Sequence, residues 1–169
     1  MSDITEIRHR MKAYREGLSE EEILKLSKEI ENRENILNLR LFGIYGSGED
    51  ESRVTSCIVN AKLKNKPVLL NQNVRFHFIW IEDFCKIVKH FIEHSTKEKF
   101  LNVTPNESVE IIELAKILGV ETIVKKEGLN KEYTGDNSLL LKEIPSFQFT
   151  DMKAGLESMC KTYKALLFK

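Results

Sequence analysis

Residues 38–51 read NLRLFGIYGSGEDE, an apolar run that breaks into a glycine-rich, acidic loop. A strand emptying into such a loop is either a phosphate cradle for a dinucleotide or a turn in a different nucleotide-handling fold. A dinucleotide fingerprint spaces three glycines so that the chain turns, approaches a pyrophosphate and packs a helix. Gly43, Gly46 and Gly48 are present, but the third glycine position of a GxxGxxG is Glu49. The following strand, in PVLLNQN (67–73), ends in no acidic residue for a ribose, and Glu49, Asp50 and Glu51 would repel a diphosphate. No Gly-Lys-Ser/Thr follows either, which excludes a P-loop.

Working outward, strands and helices alternate. ILNLRLFGIY (36–45) predicts a buried strand, and Val54, Ile58 and Ala61 mark a helix after the loop. Pro67 opens a short strand, PVLL. FHFIWI (76–81) predicts one strand with Phe76, Phe78 and Trp80 on one face and His77, Ile79 and Ile81 on the other. Asp83 is expected to cap a helix carrying Phe84, Ile87, Val88, Phe91 and Ile92. FLNV (100–103) is the next strand, followed by a helix from Ser108 that Gly119 stops. ETIVK (121–125) is a further strand, and Thr150 and Asp151 open a last helix with Leu156, Met159 and Tyr163. The alternation indicates an α/β domain over residues 35–169.

Residues 1–34 differ in character, with nearly half of them charged. Ser19 with Glu22 makes a capping box, Leu18 can staple onto Ile23, and Ile23, Leu26 and Ile30 repeat at helical spacing. An earlier helix over 4–16, with Ile4, Ile7 and Met11 on one face, stops at Gly17. The segment predicts a charged helical hairpin that needs something to pack on.

Whole-chain quantities narrow the function. The 169 residues carry 26 basic and 26 acidic side chains, a balance that speaks against a nucleic-acid partner. There is no apolar run long enough to span a bilayer and no signal-peptide core, so no membrane and a cytoplasmic setting are expected. Cys57, Cys85 and Cys160 are far apart and never CxxC, and read as reduced thiols.

NLRLFGIYGSGEDE resembles the LRxFNVYGPG segment of the extended short-chain dehydrogenases, the NAD-dependent nucleotide-sugar epimerases, dehydratases and reductases. The resemblance continues in register. LKNKPVLLNQN is similar to that family's helix end and strand, FHFIWIEDF to RDFIYVDDL, and FLNVTPNESVEIIELAKIL to YNIGSGEEVSIxELAExI. YTGDNSLLLKEIPSFQFTDMKAGLESMCKTY is similar to its closing segment, so roughly residues 35–167 are covered in order. The resemblance implies an incomplete Rossmann-type fold, its C-terminal, substrate-binding half, with the glycine loop as the hinge between cofactor sheet and sugar-binding half. It implies NAD or NADP as the family cofactor and a nucleotide-sugar ligand near Tyr45, Gly46, Arg75 and His77, with Gly43 beside the cofactor.

Two parts of the family's machinery are missing. There is no GxxGxxG to hold the pyrophosphate, and none of the four tyrosines has Lys at the fourth residue beyond it, so no Tyr-x-x-x-Lys base is present and no catalytic residue is assigned. Leu24 stands at the Tyr position upstream of the LSK at 26–28. The arginine of RDF, which in the family grips a nucleotide diphosphate, is Phe76, while Arg75 sits one residue early and the strand period aims it at the opposite face. The chain is therefore expected to bind no cofactor and to be inactive by itself. A homo-oligomer is expected, or a partner chain that supplies the missing half, and the apolar ILNLRLF would favour self-association.

EIRHRMKAYREGLSEEEILKLSKEI (6–30) also resembles the opening of 5-formyltetrahydrofolate cyclo-ligases, where Arg8 and Arg15 match basic positions, against chance similarity of charged helices. His90 and His94, at helical i, i+4 spacing, are zinc-like in spacing but have no third ligand in view, so a solvated face is expected. His77 is either a substrate contact or a satisfied strand histidine, and Tyr45 either a wall of the sugar pocket or a strand-end aromatic. Trp80 reads as core, and Glu49–Glu51 as a solvated loop before a helix N-terminus.

Overall fold

The computed structural model describes residues 36–167 together with Ser19, Glu21, Glu22, Lys25 and Lys28. The chain divides into two compact units, Met1–Asn38 and Leu39–Lys169.

In the first unit the capping box forms. The Glu22 N–H donates to Ser19 Oγ at 3.4 Å, and the Ser19 N–H donates to Glu22 Oε2 at 2.9 Å. The Ser19 N–H, together with the Ser19 hydroxyl, which also donates to Glu22 Oε2, at 2.8 Å, holds the Glu22 carboxyl below the usual carboxylate range. The staple from Leu18 to Ile23, the helix over 4–16, and Arg8 and Arg15 lie outside the described residues.

From Asn38 onward the chain alternates strands β1 (Asn38–Leu41), β2 (Ile44–Tyr45), β3 (Val68–Asn73), β4 (Arg75–Phe76), β5 (Ile79–Trp80), β6 (Phe100–Val103), β7 (Val109–Glu110) and β8 (Thr122–Leu129) with five helices. The helices are α1 (Val54–Leu63), α2 (Ile81–Glu93), α3 (Ile111–Ile117), α4 (Ser138–Glu143) and α5 (Met152–Leu167). The strands pair two by two: β1 with β6, β2 parallel to β5, β3 parallel to β8, and β4 antiparallel to β7. Parallel pairs joined through helices are the mark of an α/β chain, and they place the fold with partial Rossmann-like domains.

Local departures from the sequence expectation have physical causes. ILNLRLFGIY is interrupted at Phe42–Gly43 and only partly buried. FHFIWI is two short strands, because Arg75–Phe76 pairs with β7 while Ile79–Trp80 pairs with β2. Asp83 does not cap α2: the cap position is Trp80, and Asp83 lies inside the first turn with its carboxylate buried. The helix expected from Ser108 opens at Ile111 instead, where Glu110 and Glu113 exchange hydrogen bonds as a capping box. Gly119, at φ +65°, does end it. α5 is capped as read, the Ala154 N–H reaching Asp151 Oδ1 at 3.1 Å. α4 was not anticipated.

The core gathers Tyr45, Phe78 and Trp80 with Ile58 and Val59 of α1, Leu114 of α3, and Leu156 and Met159 of α5. Leu114 is fully buried. Leu114→Ala is expected to cost about 3 kcal/mol in urea unfolding, the lost transfer energy plus the cavity left behind. A loss under about 1 kcal/mol would mean that α3 is not part of this core.

β8 is the longest strand and carries a bulge. Its register with β3 runs from Val68 opposite Thr122 and shifts between Gln72 and Asn73, where Gly128 takes φ +80°. This pair, unlike ILNLRLF, exposes large apolar side chains: Leu69 and Ile123, partners in register, are 58% and 50% exposed, while Ile92 on α2 is exposed further still. Among the described residues no helix is long and apolar enough to cross a membrane.

Candidate functional site

Of the three glycines after β1, Gly43 and Gly46 serve the chain's own packing, while Gly48, at φ +89°, faces open space. A Cβ on Gly43 would stand 2.8 Å from both the His77 carbonyl oxygen and Phe78 Cδ1, and one on Gly46 would overlap Ile81 Cγ2. A pyrophosphate cradle needs bare glycine faces open to the ligand. Gly43 and Gly46 spend theirs on neighbouring side chains, so the residues of this loop do not fit a dinucleotide in the fingerprint manner.

Tyr45 lies 2% exposed, its ring 5.2 Å from Trp80 and edge-on to Phe78 at 6.5 Å. Its hydroxyl is buried without a hydrogen-bond partner. Burial first, then the Asp83 and Asp151 charges, push its pKa far above the ordinary phenol value. The group stays neutral at physiological pH and cannot serve as a phenolate base.

Glu49, expected in a solvated loop, turns inward, and only Asp50 and Glu51 face solvent. The Glu49 side chain is 9% exposed. It accepts hydrogen bonds from the Thr55 and Ser56 hydroxyls in the first turn of α1. Tyr163 of α5 joins them, 2.9 Å from Ser56 Oγ. A carboxylate at a helix N-terminus is favoured by the helix dipole, and here it also ties the glycine loop to two helices.

Arg75 is held by a neighbouring strand. Its Nη2 donates to Glu110 Oε1 at 2.7 Å across the β4–β7 pair, while Asn73 Nδ2 donates to Glu110 Oε2 at 2.7 Å. His77 is 8% exposed, and its Nδ1 accepts the Gly135 N–H at 3.0 Å, which assigns the proton to Nε2. Burial lowers its pKa, with the Glu132 charge partly opposing.

A folded-state pKa below the unfolded value of about 6.5 gives stability that is complete above that pH and lost as pH falls. The urea midpoint should therefore drop further between pH 7.5 and pH 5 in the wild type than in His77→Gln, whose amide can still accept the Gly135 N–H. Equal drops in the two proteins would rule His77 out as the source.

The residues that gather around open space are mostly others. A cleft of about 960 Å³ is lined by Phe42, Gly43, Arg53, Phe76, Phe78 and Tyr133 among others. Of the residues singled out in the sequence, Gly43 reaches it. Tyr45 and Gly46 line a smaller recess of about 180 Å³ beside the glycine loop, and Arg75 and His77 line neither. Arg53, Lys131 and Tyr133 carried no local signal, since tertiary pairing alone brings residues 130–133 to this place. His90 of α2 and His94, the extended residue that ends it, stack at 4.4 Å, and among the described residues no three His, Cys, Asp or Glu side chains gather as metal ligands. All three cysteines are free, and burial raises the Cys160 thiol pKa.

The fold has many solved counterparts. A UDP-N-acetylglucosamine 4-epimerase from Methanobrevibacter ruminantium M1, in complex with UDP-N-acetylmuramic acid, superposes with a TM-score of 0.68 at 21% identity. That comparison covers 85% of this chain and 51% of the other. A UDP-glucuronic acid 4-epimerase from Bacillus cereus, in complex with UDP-glucuronic acid and NAD, gives 0.66 at 18% identity, covering 76% and 45%. A dTDP-glucose 4,6-dehydratase from Bacillus anthracis str. Ames, in complex with NAD, gives 0.65 at 14%, covering 76% and 44%. The chain thus spans about half the length of the solved structures it matches. No curated protein matches it by sequence. The profile described as NAD dependent epimerase/dehydratase family matches residues 20–104, starting inside the segment that reads as an extension. That match, with the fold that carries it, places the chain in the NAD dependent epimerase/dehydratase family.

Proposed function

We propose that this chain is the substrate-binding portion of a nucleotide-sugar epimerase, dehydratase or reductase, and that the sugar nucleotide lies in the cleft. The observation that carries the reading is where the cleft sits. Phe42 follows β1, Val74 follows β3, Asn130 follows β8, and Val54 opens α1. Ligands of α/β sheets lie outside the carboxyl ends of the strands and against helix N-termini. The volume falls in the range of small-molecule sites. With no cofactor fingerprint and no Tyr-x-x-x-Lys among its 169 residues, this stretch by itself binds no NAD and turns over no substrate.

A thermal-shift panel of UDP-, GDP- and dTDP-sugars with NADH, NADPH and ATP tests this. A rise in Tm with one nucleotide sugar and none with the dinucleotides is expected. A rise with NADH, or none with any sugar nucleotide, overturns the reading.

A second reading, a non-catalytic module that associates with its own copy, is favoured by the exposed register pair Leu69 and Ile123. Sedimentation would then show a dimer that Ile123→Lys dissociates.

A further inference from the structure

The rings lining the cleft form one run. Phe42 lies 5.2 Å from Tyr133 between centroids, Tyr133 5.7 Å from Phe76, and Phe76 5.2 Å from Phe78. Tyr133 is 50% exposed, and Phe42 and Phe76 are half-buried, so ring surface remains open to the cleft. The Tyr133 backbone is fixed on both sides: its N–H donates to the Arg75 carbonyl at 2.9 Å and its carbonyl accepts the His77 N–H at 3.3 Å. The platform is thus built before any ligand arrives, which lowers the ordering cost of binding.

The charges around it are lopsided in an instructive way. Arg53, Lys131 and Glu132 are the charged residues of the lining. Arg75, outside the lining, is committed to Glu110. Arg53 itself stands 3.6 Å from Glu49 with its side chain 54% exposed. Exposed single cations contribute little to binding, whereas an aromatic platform stacks any planar base. A planar ring is the chemistry that matches the rings; for an anionic tail there are only Arg53, shared with Glu49, and Lys131, beside Glu132.

Resting on the reading of the cleft as a sugar-nucleotide site, we propose that it grips its ligand by the nucleobase rather than by the diphosphate. The base stacks on the exposed face of Tyr133, with Phe42 and Phe76, tilted 52° and 58° to that ring, as its walls, and the phosphates leave toward Arg53 and Lys131.

Isothermal titration of the full chain with uridine, thymidine and guanosine, their diphosphates and the corresponding diphosphoglucoses at fixed ionic strength tests the assignment. The favoured nucleoside should bind within about tenfold of its diphosphate. Tyr133→Leu should weaken both about tenfold, and Tyr133→Phe should restore them. Arg53→Gln should weaken the diphosphate and leave the nucleoside unchanged. A diphosphate that binds on the order of a hundredfold tighter than its nucleoside overturns the proposal. So does a Tyr133→Leu chain, folded by circular dichroism, with unchanged affinities; the cleft then remains a sugar-nucleotide site held another way. No binding by any compound sinks the proposal and the reading beneath it together.

Discussion

Gly155→Ala is expected to lower stability by about 2–3 kcal/mol, although alanine is the better helix former by nearly 1 kcal/mol. Gly155 is buried inside α5, and a Cβ there would overlap Tyr45 Oη and stand 2.9 Å from Cζ. The ring cannot swing clear, because Phe78 and Trp80 hold it on two sides. A double-mutant cycle isolates the cause. Tyr45→Phe by itself removes a buried hydroxyl without a partner and should be neutral or stabilising by up to about 1 kcal/mol. In that background the Gly155→Ala loss should shrink by at least 1 kcal/mol, measured by urea denaturation. Equal losses in both backgrounds would show that the overlap with the hydroxyl is not what the alanine meets.

Asp83→Ala should cost about 2–3 kcal/mol. The carboxylate is 1% exposed and accepts the Thr150 N–H at 2.6 Å, just before α5, and Lys86 Nζ at 3.0 Å. Truncation strands the Thr150 N–H, while Lys86 is mostly exposed and loses little. Asp83→Asn keeps an acceptor of the same shape and should lose less than half as much. If Asn proves as damaging as Ala, the charge rather than the hydrogen bond to Thr150 carries the effect.

Both effects concern residues whose partners are remote in sequence, and that separates what could be read from what could not. Apolar spacing was enough to place α1, α2, β6 and α5, because each buries a face at its own period: Ile58 and Ala61 in α1, Ile87 in α2, Leu156 and Met159 in α5. The start of α2 was misplaced because Asp83 has the residue type of a cap, while its partner is 67 residues away. FHFIWI looked like one strand because alternation records burial and not which neighbour each half pairs with. α4 is six residues long, too short for a period to show. At the site, the glycine loop stood out locally. The platform did not, since Tyr133 meets Phe42 and Phe76 only through the long-range pairing that also joins β3 to β8.

That pairing also bears on how the chain acquires its fold. Val68 and Thr122 are 54 residues apart, and parallel strands cannot be joined by a tight turn. Such late, long-loop contacts slow folding. During synthesis the first strand of the pair must wait roughly three to ten seconds for the second to be made. Over that interval Leu69 sits on an unpaired edge, and the nascent chain is most open to mispairing and to capture by chaperones.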